Sequence, residues 1–324
     1  MADPKRNRKR NKRQAENLPT VLSKAPELVK LNKLKYDESI FRTMKADTVV
    51  DDFFSTKGGI PRACNFILIG DPGVGKTTVA LDVVCDLKAN DSTTLFISAE
   101  MNSIDMYEYM ERFPKFGNID ILFLGDYADE NPKLVIEEVL KKGYDIVLGD
   151  SFAEIIDEVQ ESCFMSSKAS EKWLIDLMCK HNKGGNEGNV YTTFLMIQQM
   201  TKGGKFVGSN KLKHNTTGML EIRFDGNSES APRYLEFSKN RRGGVGKKLY
   251  FSLDKPENVN YHTDKWHMEE ENRNRMSDEL DKLAQEAAEF DALLNSEDAI
   301  EDVPENEIEN EIESEVFDNW LIDW

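Results

Sequence analysis

The stretch NFILIGDPGVGKTT (65–78) decides how this chain is read. An apolar strand-like run, NFILI, passes into Gly70, Asp71, Pro72, Gly73, Val74, Gly75, Lys76, Thr77 and Thr78, and then into the helical run KTTVALDVVCDLK (76–88). The spacing is G-x-x-x-x-G-K-[ST] in a strand–loop–helix setting, the arrangement that cradles phosphate. The glycines let the backbone wrap an anion and present N–H groups to it at the positive end of the following helix. Lys76 is placed to reach β- and γ-phosphates and the Thr77 hydroxyl to ligate Mg²⁺, so ATP with Mg²⁺ is the expected cofactor pair.

Outward from that stretch, apolar runs alternate with amphipathic ones. TTLFIS (93–98), IDILFL (119–124), YDIVLGD (144–150) and VYTTFLMI (190–197) read with NFILI as buried parallel strands, separated by helical segments such as PKLVIEEVLKK (132–142). Such alternation implies βαβ crossovers and a sheet covered on both faces. MLEIRF (219–224), RYLEFSK (233–239) and KLYFSL (248–253) follow closely with turn residues between them, and read as antiparallel hairpins closing the sheet. The expected fold class is α/β, a mostly parallel sheet flanked by helices with closing antiparallel strands.

Two acids fall at strand ends, where ligands of open α/β sheets bind. Asp150 ends the apolar run IVLG and is placed to hold the Mg²⁺ water shell beside Thr77; Asp145, at the other end of that strand, reads as a turn residue. Glu100, in FISAEM (96–101), follows the second strand and is placed to polarise a water against the γ-phosphate. A buried strand end is an expensive place for an idle charge, which favours a working carboxylate over a helix N-terminal acid.

These motifs together make residues 56–253 resemble the RecA-like P-loop ATPases, and among them the core of the RadA/Sms family of recombination and branch-migration proteins. GGIPR (58–62) resembles the motif before that family's first strand, although Ala63 stands where glycine is usual. GDPGVGKTT resembles its phosphate loop, SAEM the segment with its catalytic glutamate, and GDS (149–151) its strand-end Asp-Ser. Gln199, heading QMTKGG (199–204), falls where many RecA-like proteins keep a polar γ-phosphate sensor, and GSNKLKH (208–214) resembles the end of the second DNA-binding loop. Lys239-Asn240-Arg241 resembles the start of the signature Lys-Asn-Arg-Phe-Gly, with Arg242 in place of the phenylalanine and Gly243 kept; Thr217 replaces a usual acid. The family's zinc module and protease-like domain are expected to be missing.

Between Thr201 and Thr217 lie Lys202, Lys205, Lys211 and Lys213, three glycines and no acid. Flexible backbone with lysines suits a single strand's phosphates, with Phe206 and His214 available for stacking or sugar contact; a mobile solvated loop is the alternative. Lys239 and Arg241, two apart on a strand, share one face. In a ring or filament they can act in trans on a neighbour's γ-phosphate; otherwise they protect an edge strand.

The ends explain the charge. The formal net charge of -17 argues against a nucleic-acid partner, but residues 1–45 carry +8, residues 268–324 carry -18, and the remainder only -7. No apolar run approaches the roughly 20 residues of a membrane span, and the basic start lacks the apolar region of a secretory signal. Cys64, Cys85, Cys163 and Cys179 form no C-x-x-C pair, which fits reduced thiols in the cytoplasm. The expected organisation is a disordered basic arm (1–17), a helical lead-in (18–55), the ATPase core (56–255), a linker (256–276), an amphipathic helix (277–295) and a disordered acidic tail (296–324) ending in DNWLIDW. The arm reads as a solvated tail, a phosphate binder or a targeting signal. The tail reads as a solubility device, a DNA mimic or a hook for a replication or recombination protein. The functional expectation is an ATP-dependent motor on single-stranded DNA, acting as a homo-oligomer, a hexameric ring or a filament. Its rivals are a hexameric DnaB-type helicase and a nucleotide-switched regulatory ATPase that does not act on DNA.

Overall fold

The computed structural model describes residues 25–127, 129–199, 212, 215–226, 231–253 and 258–294. The chain divides after Arg42 into two units. In the first, residues 25–42 hold only 3-10 turns at Leu31–Lys33 and Glu38–Phe41. Of the lead-in expected over 18–55, the described residues 25–42 expose Leu28, Leu31 and Leu34, and the span is α-helical at Val50–Phe54; an apolar face left unburied adds little to helix stability. The basic arm lies outside the described residues, as does the acidic tail.

The second unit starts with β1 (Thr43–Met44), paired antiparallel with β2 (Ile60–Pro61), and the short α1 (Val50–Phe54) between them. The core therefore begins at Thr43 rather than at 56. Next come β3 (Asn65–Gly70), α2 (Lys76–Ala89), β4 (Thr94–Ser98), α3 (Ser103–Arg112), β5 (Ile121–Phe123), α4 (Pro132–Leu140), β6 (Ile146–Asp150), α5 (Phe152–Ser162), α6 (Ser167–His181) and β7 (Thr193–Gln199). β8 (Gly218–Phe224), β9 (Arg233–Asn240), β10 (Lys248–Ser252), β11 (Asn260–Tyr261) and α7 (Thr263–Leu294) complete it.

The nine-stranded sheet has the order β11-β10-β9-β8-β3-β7-β6-β4-β5. From β8 to β5 all neighbours are parallel, and from β8 to β11 all are antiparallel. β8 is thus both the first partner of a hairpin and a parallel neighbour of β3, a second role that its closeness in sequence to β9 conceals. Both faces are covered, so β3 is buried along its whole length and reads as a continuous apolar run. Phe66 and Leu68 enter the layer of α2, where Phe53, Phe54, Phe237 and Trp266 also pack; Ile67 and Ile69 enter the layer of α5 and α6.

The span expected as a linker, 256–276, is tied to the core over its described residues. Asp82 of α2, paired with Lys115, accepts hydrogen bonds from Val259 N (3.4 Å) and Tyr261 Oη (3.3 Å), which fastens this segment to the core. α7 then begins at Thr263, far ahead of the exposed stripe that marks it in sequence, because Trp266 is buried against Phe53. Among the described residues no helix is long and apolar enough to cross a membrane.

Candidate nucleotide-binding and catalytic site

The carboxyl ends of β3, β7, β6 and β4, four adjacent strands, lead to Lys76 (first residue of α2, six beyond β3), Gln199, Asp150 and Glu100 (two residues beyond β4). In a parallel sheet these ends share one edge, the edge at which ligands bind.

The loop 71–75 joins β3 to α2. Gly75 is the N-cap of α2 at φ 101°, and a Cβ there would stand 2.8 Å from Leu253 Cδ1, so both conformation and space demand glycine. α3, α4, α5 and α6 are capped by the side chains of Asn102, Asn131, Ser151 and Ser166, whereas α2 starts with no side-chain cap. Its first N–H groups are therefore left for an anion at the loop, where the helix dipole adds to the attraction.

Lys76 is buried, and its Nζ donates to the carbonyls of Gly70 (3.0 Å) and Asp71 (2.9 Å). Burial lowers its pKa, against the opposing pull of Asp150, Glu100 and Asp71. Thr77 Oγ1 donates to Asp150 Oδ2 at 2.6 Å, which leaves the hydroxyl lone pairs free to face a cation. Asp150 is 2% exposed, and its Oδ1 has no hydrogen-bond partner. Burial first, and Glu100 second, push its carboxyl up to about 6 despite the Thr77 hydrogen bond and the charge of Lys76. A buried acceptor oxygen without a partner, beside a hydroxyl oriented by the same carboxylate, fits a hydrated Mg²⁺; the oxygen donor set suits this hard cation.

Glu100 is brought to Asp150 through the backbone, since Ala99 N and Glu100 N donate to the Asp150 carbonyl at 2.7 and 3.2 Å. Its side chain accepts from Gln199 Nε2, at 3.3 Å to Oε1 and 3.4 Å to Oε2. Glu100 is exposed, so the expectation of a buried strand-end charge is corrected: the chain has left the strand before reaching it. What singles Glu100 out is its position among Lys76, Asp150 and Gln199.

Lys239 lies in β9 and pairs with Met219; β9 ends at Asn240, so Arg241 is one residue past the strand, with its N–H bonded to the Thr217 carbonyl at 3.0 Å. Burial first, and the Arg241 charge second, lower the Lys239 pKa. Because β9 runs antiparallel, they sit beside Gly218 at the start of β8, the sheet edge opposite the phosphate loop. The six residues of β3 separate these edges by roughly 17 Å. Lys202, Lys205, Phe206, Lys211, Lys213 and His214 lie outside the described residues.

Sequence reading missed the function of Arg62 and the full use of Asp145. Asp145 pairs with Arg62 and accepts from Thr93 N (2.8 Å) and Thr93 Oγ1 (2.9 Å); burial would raise its pKa, but these partners outweigh it and hold the carboxyl low. The pair locks the segment before β3 to the start of β6, and with it the register of the strands that carry the site.

No family model matches the chain. It is 26% identical over 196 residues to the DNA repair protein RadA of Campylobacter jejuni, covering 60% of this chain and 41% of that protein. RadA of Streptococcus pyogenes is 27% identical over 210 residues, covering 64% and 44%. The chain thus spans about two-fifths of the length of the curated relatives it matches. Among solved structures, the flagellar accessory protein FlaH of Methanocaldococcus jannaschii superposes with a TM-score of 0.52 at 11% identity, over 68% of this chain and 99% of that one. A KaiC-like protein of Pyrococcus horikoshii superposes with a TM-score of 0.50 at 19% identity, over the same shares.

Proposed function

From a RecA-like ATPase core distantly related to RadA, we propose that this protein is a Mg²⁺-dependent ATPase that works on single-stranded DNA as a homo-oligomer in the cytoplasm, in recombination, repair or replication. The observation that carries the reading is the meeting of Lys76, Thr77, Asp150, Glu100 and Gln199 at one sheet edge, beside a helix N-terminus left without a side-chain cap.

The loop N–H groups and Lys76 bind the β- and γ-phosphates, Lys76 exchanging its two carbonyl partners for phosphate oxygens. Thr77 and Asp150 would hold Mg²⁺, which would supply neutralisation of the phosphates' negative charge. Glu100 takes the proton of the attacking water, and Gln199 orients that carboxylate. Gln199 is also the last residue of β7, directly before the lysine-bearing segment 201–217, so one side chain touches the catalytic acid while its backbone leads into the DNA contacts. Lys239 and Arg241, at the far edge of their own sheet, serve a neighbouring subunit's phosphates. The RadA likeness supports the DNA assignment; the acidic tail is assigned to a replication or recombination partner.

The test is ATP turnover with and without single-stranded DNA, for the unaltered protein, Lys76→Ala and Glu100→Gln. DNA should raise turnover of the unaltered protein. Lys76→Ala should lose nucleotide binding, and Glu100→Gln should bind ATP yet turn it over at least about a hundredfold more slowly. Turnover indifferent to DNA would overturn the DNA assignment, and full activity of Glu100→Gln would move the base elsewhere.

A further inference from the structure

The first turns of α7 belong to the core and the rest do not. Trp266 is buried, Lys247 lies 4.9 Å from its ring centroid and pairs with Glu270 at 2.5 Å, and Arg273 Nη2 donates to the Gly246 carbonyl at 2.6 Å. From Glu271 to Ala292 every residue is exposed. Met276, Leu280, Leu283, Ala287 and Phe290 recur along this exposed part at spacings of four, three, four and three. That is a period of 3.5, the heptad seam of a left-handed coiled coil, with Leu280 and Ala287 at a and the other three at d. Met276, Leu280, Leu283 and Phe290 are each 60–64% exposed.

The residues flanking the seam say what can cover it. The g positions are Glu279 and Glu286, and the e positions are Ser277, Ala284 and Asp291, with no cation among them. From Met276 to Asp291 there are six acids and the single cation Lys282. Pairing with a second copy in parallel sets Glu286 against Asp291, and pairing antiparallel sets glutamates at g against one another. Like charges beside a seam oppose association, whereas Lys or Arg at the facing positions favours it.

We propose that α7 from Met276 to Phe290 is a docking helix for a heterotypic coiled coil, whose partner is a helix with apolar a and d positions and Lys or Arg at e and g. This surface is independent of the nucleotide site.

The test uses the full chain and a fluorescent three-heptad peptide with Leu at a and d and Lys at e and g, against a matched peptide with Glu at e and g, read by fluorescence anisotropy. The Lys peptide should bind, more weakly as salt is raised, and the Glu peptide at least about tenfold more weakly. Leu280→Glu and Leu283→Glu should each abolish binding while the melting temperature stays unchanged, since both side chains are exposed. Sedimentation of the same variants without peptide gives the second readout. Failure of the Lys peptide to bind, equal binding of both peptides, or a drop in assembly mass on Leu283→Glu would each overturn the proposal, the last by making a second copy the occupant.

Discussion

Asp150→Asn should make the ligand-free protein more stable while removing its response to Mg²⁺ and nucleotide. Asp150 titrates at about 6 in the folded state, against an ordinary value of 3.8. A carboxyl whose pKa is raised by folding favours the folded state fully below pH 4, and that contribution is lost as pH rises through about 6. At about 1.4 kcal/mol per pKa unit, the charged Asp150 costs the ligand-free fold about 3 kcal/mol above pH 7. Asparagine keeps an oxygen for the Thr77 hydroxyl and carries no charge, so it removes this cost. For a core of this size the gain corresponds to a rise in Tm of roughly 6–12 °C at pH 7.5, shrinking towards zero near pH 4. The assay is thermal unfolding in chelator from pH 4 to pH 8, repeated with Mg²⁺ and ATP. In the unaltered protein the ligands should restore what the charge costs; in the variant they should add little. A variant no more stable than its parent at pH 7.5, or a gain that does not change with pH, would refute the reasoning.

Three further outcomes are expected. Gly75→Ala should lose nucleotide binding by isothermal titration and unfold about 1–2 kcal/mol more easily, since alanine meets a left-handed φ and the Leu253 side chain. Trp266→Ala should lower stability to urea by about 3–5 kcal/mol, as for a large buried aromatic; a cost below about 1 kcal/mol would detach the start of α7 from the core. A mixture of Lys76→Ala and Arg241→Ala chains should regain turnover that neither shows alone, because each supplies the half of a shared site that the other lacks; absence of any recovery would remove Arg241 from a role in trans.

The parts of this protein legible in its sequence are those encoded locally. The parallel strands are buried on both faces and so appear as unbroken apolar runs, and the phosphate loop is a contiguous run whose glycines and lysine have strict spacing. Asp150 is marked by ending such a run. The start of α7 was hidden because Trp266 stands apart from the periodic stripe, and its burial depends on Phe53, more than two hundred residues earlier. Residues 25–42 hold only single 3-10 turns, since a tendency to helix without a buried apolar face gives little helical stability.

Local chemistry thus marks 70–78 as the candidate phosphate cradle and shows which runs lie inside the sheet. The order of the strands settled the rest. Only that order sets Gln199 of β7 against Glu100 beyond β4, across two strand spacings, and turns β9 so that Lys239 and Arg241 face away from their own phosphate loop. Pairings of this kind join residues about a hundred positions apart, and they follow from how the whole sheet buries its two faces rather than from any pattern within a segment.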